Sequence, residues 1–319
     1  MPDVLSIAEL MMQLAPRLKQ LVSQPQQARR LLHGRGGTYA GWQHLNIDYY
    51  AGVVMLTWFA ATDAEQAVLQ AVLDTAESIP DSHIINGVAS QYRYIKPATT
   101  QVLWGEVPQR LAVCEGELQF WVDMRRQNSG LFLDMAPGRQ WLLKHAQHKR
   151  VLNTFAFTCS LSVAAVAGGA SRVVNIDMNG GVLKRGRENH MLNGQQSAAV
   201  DYLPYQVLKS IGKLARKGPF DLIIVDPPTF QAGSFEFDKD YGRLLRRLPR
   251  LIGGQATLLL CCNSPGVSLD KFQALINEHL PSARFMQRLS HSKDFVEQAE
   301  APLKALVYDY QADLVCAQG

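Results

Sequence analysis

A chain of 319 residues, 47% hydrophobic and 19% charged, is too long for one core and too apolar for a disordered protein, so two folded domains are expected. No apolar run reaches the length of a membrane span, and an amino terminus carrying Asp3 and Glu9 lacks the basic start of a signal peptide, which favours a soluble cytoplasmic protein. The net charge of +4, with a pI near 8.8, admits an anionic partner without requiring one.

Ser6-Ile7-Ala8-Glu9 has the spacing of a capping box, and residues 6–33 read as helical, interrupted by Pro16 and Pro25. Residues 45–60, rich in Ile, Val, Tyr and Trp around Ala51-Gly52, read as two strands and a turn. Helical apolar spacing follows over 62–76, then a strand over 84–95 and a hairpin over 111–122 with Glu115-Gly116 at its tip. Residues 1–110 are thus expected to form a helical segment and a small α+β domain. From Arg150 the strand candidates RVLNTFAF, RVVNID, DLIIVDP and ATLLLCCN alternate with helix candidates at 161–166, 181–192, 205–217 and 241–251. That alternation predicts an α/β domain with a mostly parallel, Rossmann-like sheet covered by helices on both faces, assigned with its lead-in hairpin to 111–319. Ligands of such sheets bind at the carboxyl ends of the strands, where Asn153 to Ser160, Asp177 and Asp226 to Phe230 converge.

The stretch FDLIIVDPPTF (220–230) ends a buried strand in an acid and two prolines. Proline lacks an amide hydrogen and fixes its own backbone angle, so Pro227-Pro228 stop sheet pairing and leave a stiff turn lined with carbonyl acceptors. Asp177 closes the second strand candidate, about twenty residues after the end of the first, a position suited to an acid that accepts both hydroxyls of a ribose. A helix cap for the segment at Gly181 is the competing role. Asp201 is a candidate acceptor for an adenine amino group, or an ordinary loop acid. Thr158-Cys159-Ser160 lacks the glycines that bring backbone against a pyrophosphate, which favours a nucleoside cofactor without phosphates, such as S-adenosylmethionine, over a dinucleotide.

With FDLIIVDPPTF, the stretch VLNTFAFTCSLSVAAVAGGASRVVNIDMNGGVLKRGRENHMLNG resembles class I S-adenosylmethionine-dependent RNA methyltransferases, and within them the ribosomal RNA large subunit methyltransferases I and K/L. GELQFWVDMRRQNSGLFLDMAPGRQWL (116–142) is similar to the segment leading into the catalytic domain of that group, and HSKDFVEQAEAPLKALVYDY to its carboxyl-terminal hairpin. The resemblance covers roughly residues 45 to 310. It implies methyl transfer from S-adenosylmethionine to a base of large-subunit rRNA, with the front α+β domain as an RNA- or substrate-binding unit. The amino-terminal PUA domain of methyltransferase I is not recognisable. By position the resemblance puts Phe132, Asp134 and Arg139 in the lead-in segment folded against the cofactor, and Asn153, Phe155 and Thr158 in the first cofactor loop. It puts Asp177 at the ribose, with Met178 after it among the cofactor-binding residues, Asp201 near the adenine and Asp226 at the start of the catalytic loop. Where the family has Thr-Gly-Gly, Cys159 and Ser160 add side chains that would weaken cofactor binding, so a non-catalytic RNA-binding relative is one alternative and a methyltransferase for DNA or a small molecule another.

In the catalytic loop Asp226, Pro227 and Pro228 would position the acceptor, and Phe230 would stack on an unpaired base, unless it packs in the core. Which atom is methylated turns on LLLCCNS (258–264). Carbon 5 of a cytosine requires a nucleophile on carbon 6, a task for a thiolate such as Cys262, whereas a guanine nitrogen attacks through its own lone pair. Two small buried cysteines are the plainer reading. Arg243, Arg246, Arg247 and Arg250 fall at helical i, i+3, i+4, i+7 and would make one basic stripe for RNA phosphates, or a solvated helix face. Lys144, Lys149 and Arg150, with His145 and His148, form a second, weaker basic cluster. The five cysteines and eight histidines show no metal-ligand spacing, so no metal is expected. The oligomeric state stays open, a homodimer among the options.

Overall fold

The computed structural model describes residues 4–80, 83–231, 233–264, 266–298 and 303–312. They fall into two compact units, Met1–Ala136 with His291–Ala299, and Pro137–Ser290 with Glu300–Gly319.

The amino-terminal unit begins with α1 (Ile7–Leu21), capped as its spacing predicts: Glu9 N donates to Ser6 Oγ at 3.3 Å and Ser6 N to Glu9 Oε2 at 2.7 Å. Its buried stripe, Leu10, Leu14, Leu18 and Leu21, joins the core of a five-stranded sheet. The strands are β1 (Ala28–His33), β2 (Leu45–Tyr50), β3 (Val53–Trp58), β4 (Gly87–Tyr92) and β5 (Thr99–Gly105), in that spatial order. All neighbours are antiparallel except β3 and β4, which the crossover helix α2 (Glu65–Glu77) joins in parallel. The helix expected over 6–33 therefore stops at Leu21, since Pro25 blocks its continuation and Ala28–His33 bonds to β2 instead. A hairpin of β6 (Arg110–Glu115) and β7 (Leu118–Asp123) completes the unit. Cys114 N donates to Gln26 O at 2.7 Å and Gly116 N to Gln27 Oε1 at 3.1 Å. Those bonds move the boundary expected at residue 110 to Ala136. Residues 291–298, expected to begin a hairpin, bind here too: Asp294 takes two bonds from Arg29 (3.0 and 2.7 Å), and Glu297 pairs with His33 at 2.8 Å.

The second unit opens with α3 (Ala136–His145) and then alternates. Its elements are β8 (Arg150–Thr154), α4 (Ser160–Ala167), β9 (Arg172–Ile176), α5 (Gly180–Leu192), β10 (Val200–Leu203), α6 (Ile211–Ala215), β11 (Leu222–Val225), a short β12 (Phe230–Gln231) and β13 (Phe235–Glu236), α7 (Phe237–Leu245), β14 (Gln255–Asn263), α8 (Leu269–His279), β15 (Ala283–Arg288) and β16 (Leu303–Gln311). The seven-stranded sheet runs β10-β9-β8-β11-β14-β16-β15, parallel from β10 to β14, with β16 antiparallel to both neighbours. Strand order reverses between β8 and β11, which opens a crevice at their carboxyl ends. The strands are apolar on both faces, as sheets covered by helices on both sides require.

Among the described residues each unit buries one histidine, His33 and His190, and burial lowers both pKa values to about 4. A depressed folded value adds stability above the usual 6.5 that is lost as pH falls through about 4, on the order of 3 kcal/mol for each histidine. Thermal unfolding followed from pH 7 to 4 should show a steep fall in Tm, shallower in His190→Gln. A flat profile over that window would contradict the burial argument.

Candidate active site

The loop leaving β8 is unusual in its backbone. Phe155, Phe157 and Cys159 take φ values of 53°, 47° and 60°, three side chains in a left-handed region that favours glycine. Their neighbours explain how this is tolerated. Cys159 is fully buried against Ala156 and Leu183, and a Cβ placed on Gly186 of α5 would lie 2.3 Å from its sulfur. The bare helical glycine thus makes room for the thiol. Asn189, one turn on, donates from Nδ2 to Thr158 O at 2.9 Å. Phe155 packs edge-on against Phe235 of β13, centroids 4.9 Å apart. The side chains expected to obstruct the loop are therefore folded away: Cys159 points into α5, and Ser160 begins α4, its hydroxyl 3.4 Å from Arg139 Nη1.

Asp177 follows β9 and is buried, accepting from Phe157 N (3.0 Å) and Asn179 N (2.9 Å), one on each carboxylate oxygen. Burial raises its pKa despite these two bonds, which favour the charged form. The competing helix-cap role belongs to Asn179, whose Oδ1 accepts from Gly181 N and Val182 N. Met178 is 37% exposed beside it. Asn153 does not join this group. One residue short of the strand end, its Nδ2 donates to Asn175 Oδ1 at 2.9 Å, and a buried chain continues through Ser162 to His190 and Gln195 beneath α4 and α5. Asp201 is not at the crevice either. It is the second residue of β10, held by Arg172 Nη2 (2.6 Å), on the first residue of β9, and Lys217 Nζ (3.2 Å), toward the amino ends of the strands. Burial pushes this carboxyl up, but the bonds from Arg172 and Lys217 together hold it low. Phe132 (exposed) and Asp134 lie in the amino-terminal unit, where the charge of Asp134 bears on Arg30 and His33.

After β11 the chain runs through half-buried Asp226, buried Pro227 and exposed Pro228 and Thr229 into β12. Thr229 Oγ1 donates to Asn263 O at 3.3 Å, and Phe237 N to Thr229 O at 3.1 Å, which fixes the turn against β14 and α7. Phe230 is 67% exposed, not packed in the core. Beside it lies a cavity of about 410 Å³ lined by Lys209, Phe235, Arg243 and Arg247, among others. The basic stripe itself is not continuous. The α-helix ends at Leu245, Arg243 pairs with Asp240 at 2.6 Å, Arg246 reaches His279 Nδ1 at 3.0 Å and Arg247 donates to Leu208 O at 2.6 Å; Arg250 is exposed. Cys262 is fully buried in the core that contains Tyr241 and Phe272, and burial pushes its thiol up. The Ser264 backbone and the charge of buried Lys304, the cross-strand partner of Cys262, act the other way without outweighing burial, so the covalent role is disfavoured.

A doubly wound sheet with an antiparallel strand inserted near one edge, a buried acid at the second strand's end and a proline-stiffened loop after the fourth defines a nucleoside-cofactor transferase architecture. A family model described as S-adenosylmethionine-dependent methyltransferase matches residues 29–309, and the chain belongs to that family. It is 31% identical over 195 residues to ribosomal RNA large subunit methyltransferase I of Aeromonas hydrophila subsp. hydrophila (60% of this chain, 49% of the relative). It is 30% identical over 235 residues to ribosomal RNA large subunit methyltransferase K/L of Hahella chejuensis (70% of this chain, 32% of the relative). The chain thus spans about half or less of these two curated relatives. The solved structure of SMU.776, complexed with SAH, shares the fold at 20% identity, with a TM-score of 0.83 over 97% of this chain and 83% of that one.

The residues fit S-adenosylmethionine, the family's cofactor. Asp177 would offer carboxylate lone pairs to ribose hydroxyls, Met178 an exposed apolar flank, and the Phe155–Cys159 loop backbone unobstructed by Cys159. Gly186, Asn189 and Phe235 escaped the sequence reading. Only Gly186 left a signal, a glycine inside a helical pattern, which commonly has a packing reason.

Proposed function

We propose that the chain transfers a methyl group to a nitrogen of a base in structured RNA, with ribosomal RNA the substrate class supported by the names of its relatives. The observation that carries this reading is Phe230, 67% exposed on a two-residue strand that follows Asp226-Pro227-Pro228-Thr229. When bound, S-adenosylmethionine supplies an electrophilic methyl on a sulfonium, so the protein's task is to align the acceptor. Loop 155–159 and Asp177 hold the nucleoside end of the site. Phe230 stacks on an extruded base, and the Pro227-Pro228 turn keeps that base from drifting out of line. Asp226 accepts a hydrogen bond from the N–H of the acceptor nitrogen, orienting its lone pair, and takes that proton as the nitrogen–methyl bond forms and the sulfonium–methyl bond breaks. Burial of Cys262, which pushes its thiol up and closes it off from a base, favours nitrogen over carbon 5 of a pyrimidine.

Phe230→Ala is expected to lower transfer from radiolabelled S-adenosylmethionine to rRNA about tenfold to a hundredfold, the worth of one stacked base, with Tm unchanged. Undiminished transfer would remove Phe230 from the site. Cys262→Ala is expected to keep most of the activity while losing about 1 kcal/mol of stability in denaturant unfolding. Loss of label in that variant, with the fold intact, would restore the thiolate route and carbon 5.

A further inference from the structure

We infer that Arg35 and Arg93, set around the ring of Phe59, form a binding site for an RNA phosphodiester in the amino-terminal unit. The inference rests on the RNA reading above. It starts from the sequence HGRGG (33–37). A Cβ on Gly34 would lie 2.0 Å from Trp42 O, and one on Gly36 2.1 Å from Val296 O, so the loop is pressed between two backbone segments. Arg35 N donates to Asn46 Oδ1 at 3.3 Å. The exposed Arg35 side chain between those glycines is therefore presented from a fixed backbone.

Its guanidinium lies 4.3 Å from the centroid of Phe59, and that of Arg93 lies 5.8 Å from the same ring. Arg93 is oriented by Gln91 Oε1 at 2.9 Å and by the carbonyl of Gln127. Of the carboxylates nearby, Asp48 is taken up by Arg30 through two bonds of 2.7 and 3.0 Å, Glu297 is hydrogen-bonded to the neutral His33 at 2.8 Å, and the charge of Asp134 bears on Arg30 and His33. Among the described residues, neither Arg35 nor Arg93 has a carboxylate within ion-pair distance. Burial, with the charges of Arg30 and Arg35 added, lowers the pKa of Arg93, although Asp48 and Tyr50 oppose it. The Arg35 guanidinium and the Nη1 edge of Arg93, neither ion-paired and both on a rigid frame, match the oxygens of a phosphate. The exposed Tyr94 follows Arg93 directly, and the turn that accepts from Arg93 carries exposed Arg125, so basic and aromatic groups interleave as they do on single-stranded nucleic acid surfaces.

The test is filter binding of radiolabelled rRNA over a salt series, with wild type, Arg35→Ala and Arg93→Gln. S-adenosylmethionine binding by calorimetry and Tm serve as controls. Each variant is expected to bind rRNA about tenfold more weakly, with a log–log salt slope shallower by about one, while cofactor affinity stays within about twofold. Wild-type affinity and slope in Arg35→Ala would overturn the inference and leave the RNA reading standing. Failure of the wild-type chain to retain rRNA would overturn both. Should Arg93→Gln lose its fold, Arg35→Ala decides alone, because that side chain is exposed.

Discussion

Gly186→Ala is expected to weaken S-adenosylmethionine binding by tenfold or more, although residue 186 sits on a helix and its added methyl faces a cysteine rather than the cofactor. The new Cβ would stand 2.3 Å from Cys159 Sγ and 2.9 Å from Cys159 Cβ, with Thr158 C at 3.3 Å. Something must move, and Cys159 is fully buried, so the displacement falls on the loop proposed to hold the cofactor. Overpacking of this kind costs about 1–3 kcal/mol. The helix itself would gain close to 1 kcal/mol from replacing glycine by alanine, so the loss of Tm should be modest while the loss of affinity is not. Cys159→Gly removes the clashing sulfur and relaxes the φ of 60°, and in the double variant it is expected to restore affinity to within about threefold of Cys159→Gly alone. Calorimetry on the four proteins closes that cycle. Wild-type affinity in Gly186→Ala would show that the loop and α5 are not coupled in this way.

Asp177→Ala should have the largest effect on the cofactor, roughly a hundredfold or more in affinity. It removes the proposed ribose acceptor and strands the amides of Phe157 and Asn179, which donate to it at 3.0 and 2.9 Å. Stability should fall by about 1–3 kcal/mol as two donors lose their acceptor. The pH dependence follows from the raised pKa. Above its folded value Asp177 is a buried charge that costs stability; that cost is recovered as pH falls through the folded value toward the usual 3.8. Cofactor affinity moves the opposite way, because a protonated carboxyl has lost an acceptor position. Titrations of affinity should show a loss beginning at a pH above the ordinary carboxylate range, absent in Asp177→Asn, which binds weakly at every pH. Affinity independent of pH through that range would contradict the assignment.

The sheet was legible in the sequence because its strands are short apolar runs ended by polar punctuation: RVVNID stops at Asp177 and DLIIVDPP at two prolines. The site's loops were less so. Asp201 has the residue type and chain position of an adenine acceptor, but its partners Arg172 and Lys217 lie 29 and 16 residues away in sequence, and no local pattern announces them. Asn153 is similar, its amide taken by Asn175 across the sheet. The arginine stripe failed for a local reason: the α-helix ends at Leu245, so a periodicity counted through Arg250 runs past it. The edge strand Thr99–Gly105 was missed because exposed Thr, Gln and Gly give no apolar alternation. The excursion of residues 291–298 into the amino-terminal unit depends on the Arg29–Asp294 ion pair and the His33–Glu297 hydrogen bond, each reaching more than 260 residues back.

The measurement that bears most directly on the proposed activity is transfer of radiolabelled methyl from S-adenosylmethionine to rRNA of cells lacking this protein, followed by nucleoside analysis, with wild type, Asp177→Ala and Cys262→Ala side by side. The expected result is label in a nitrogen-methylated base, absent with Asp177→Ala and retained with Cys262→Ala. Label in 5-methylcytidine that disappears with Cys262→Ala would contradict the nitrogen assignment, and no label in any RNA would contradict RNA as the substrate.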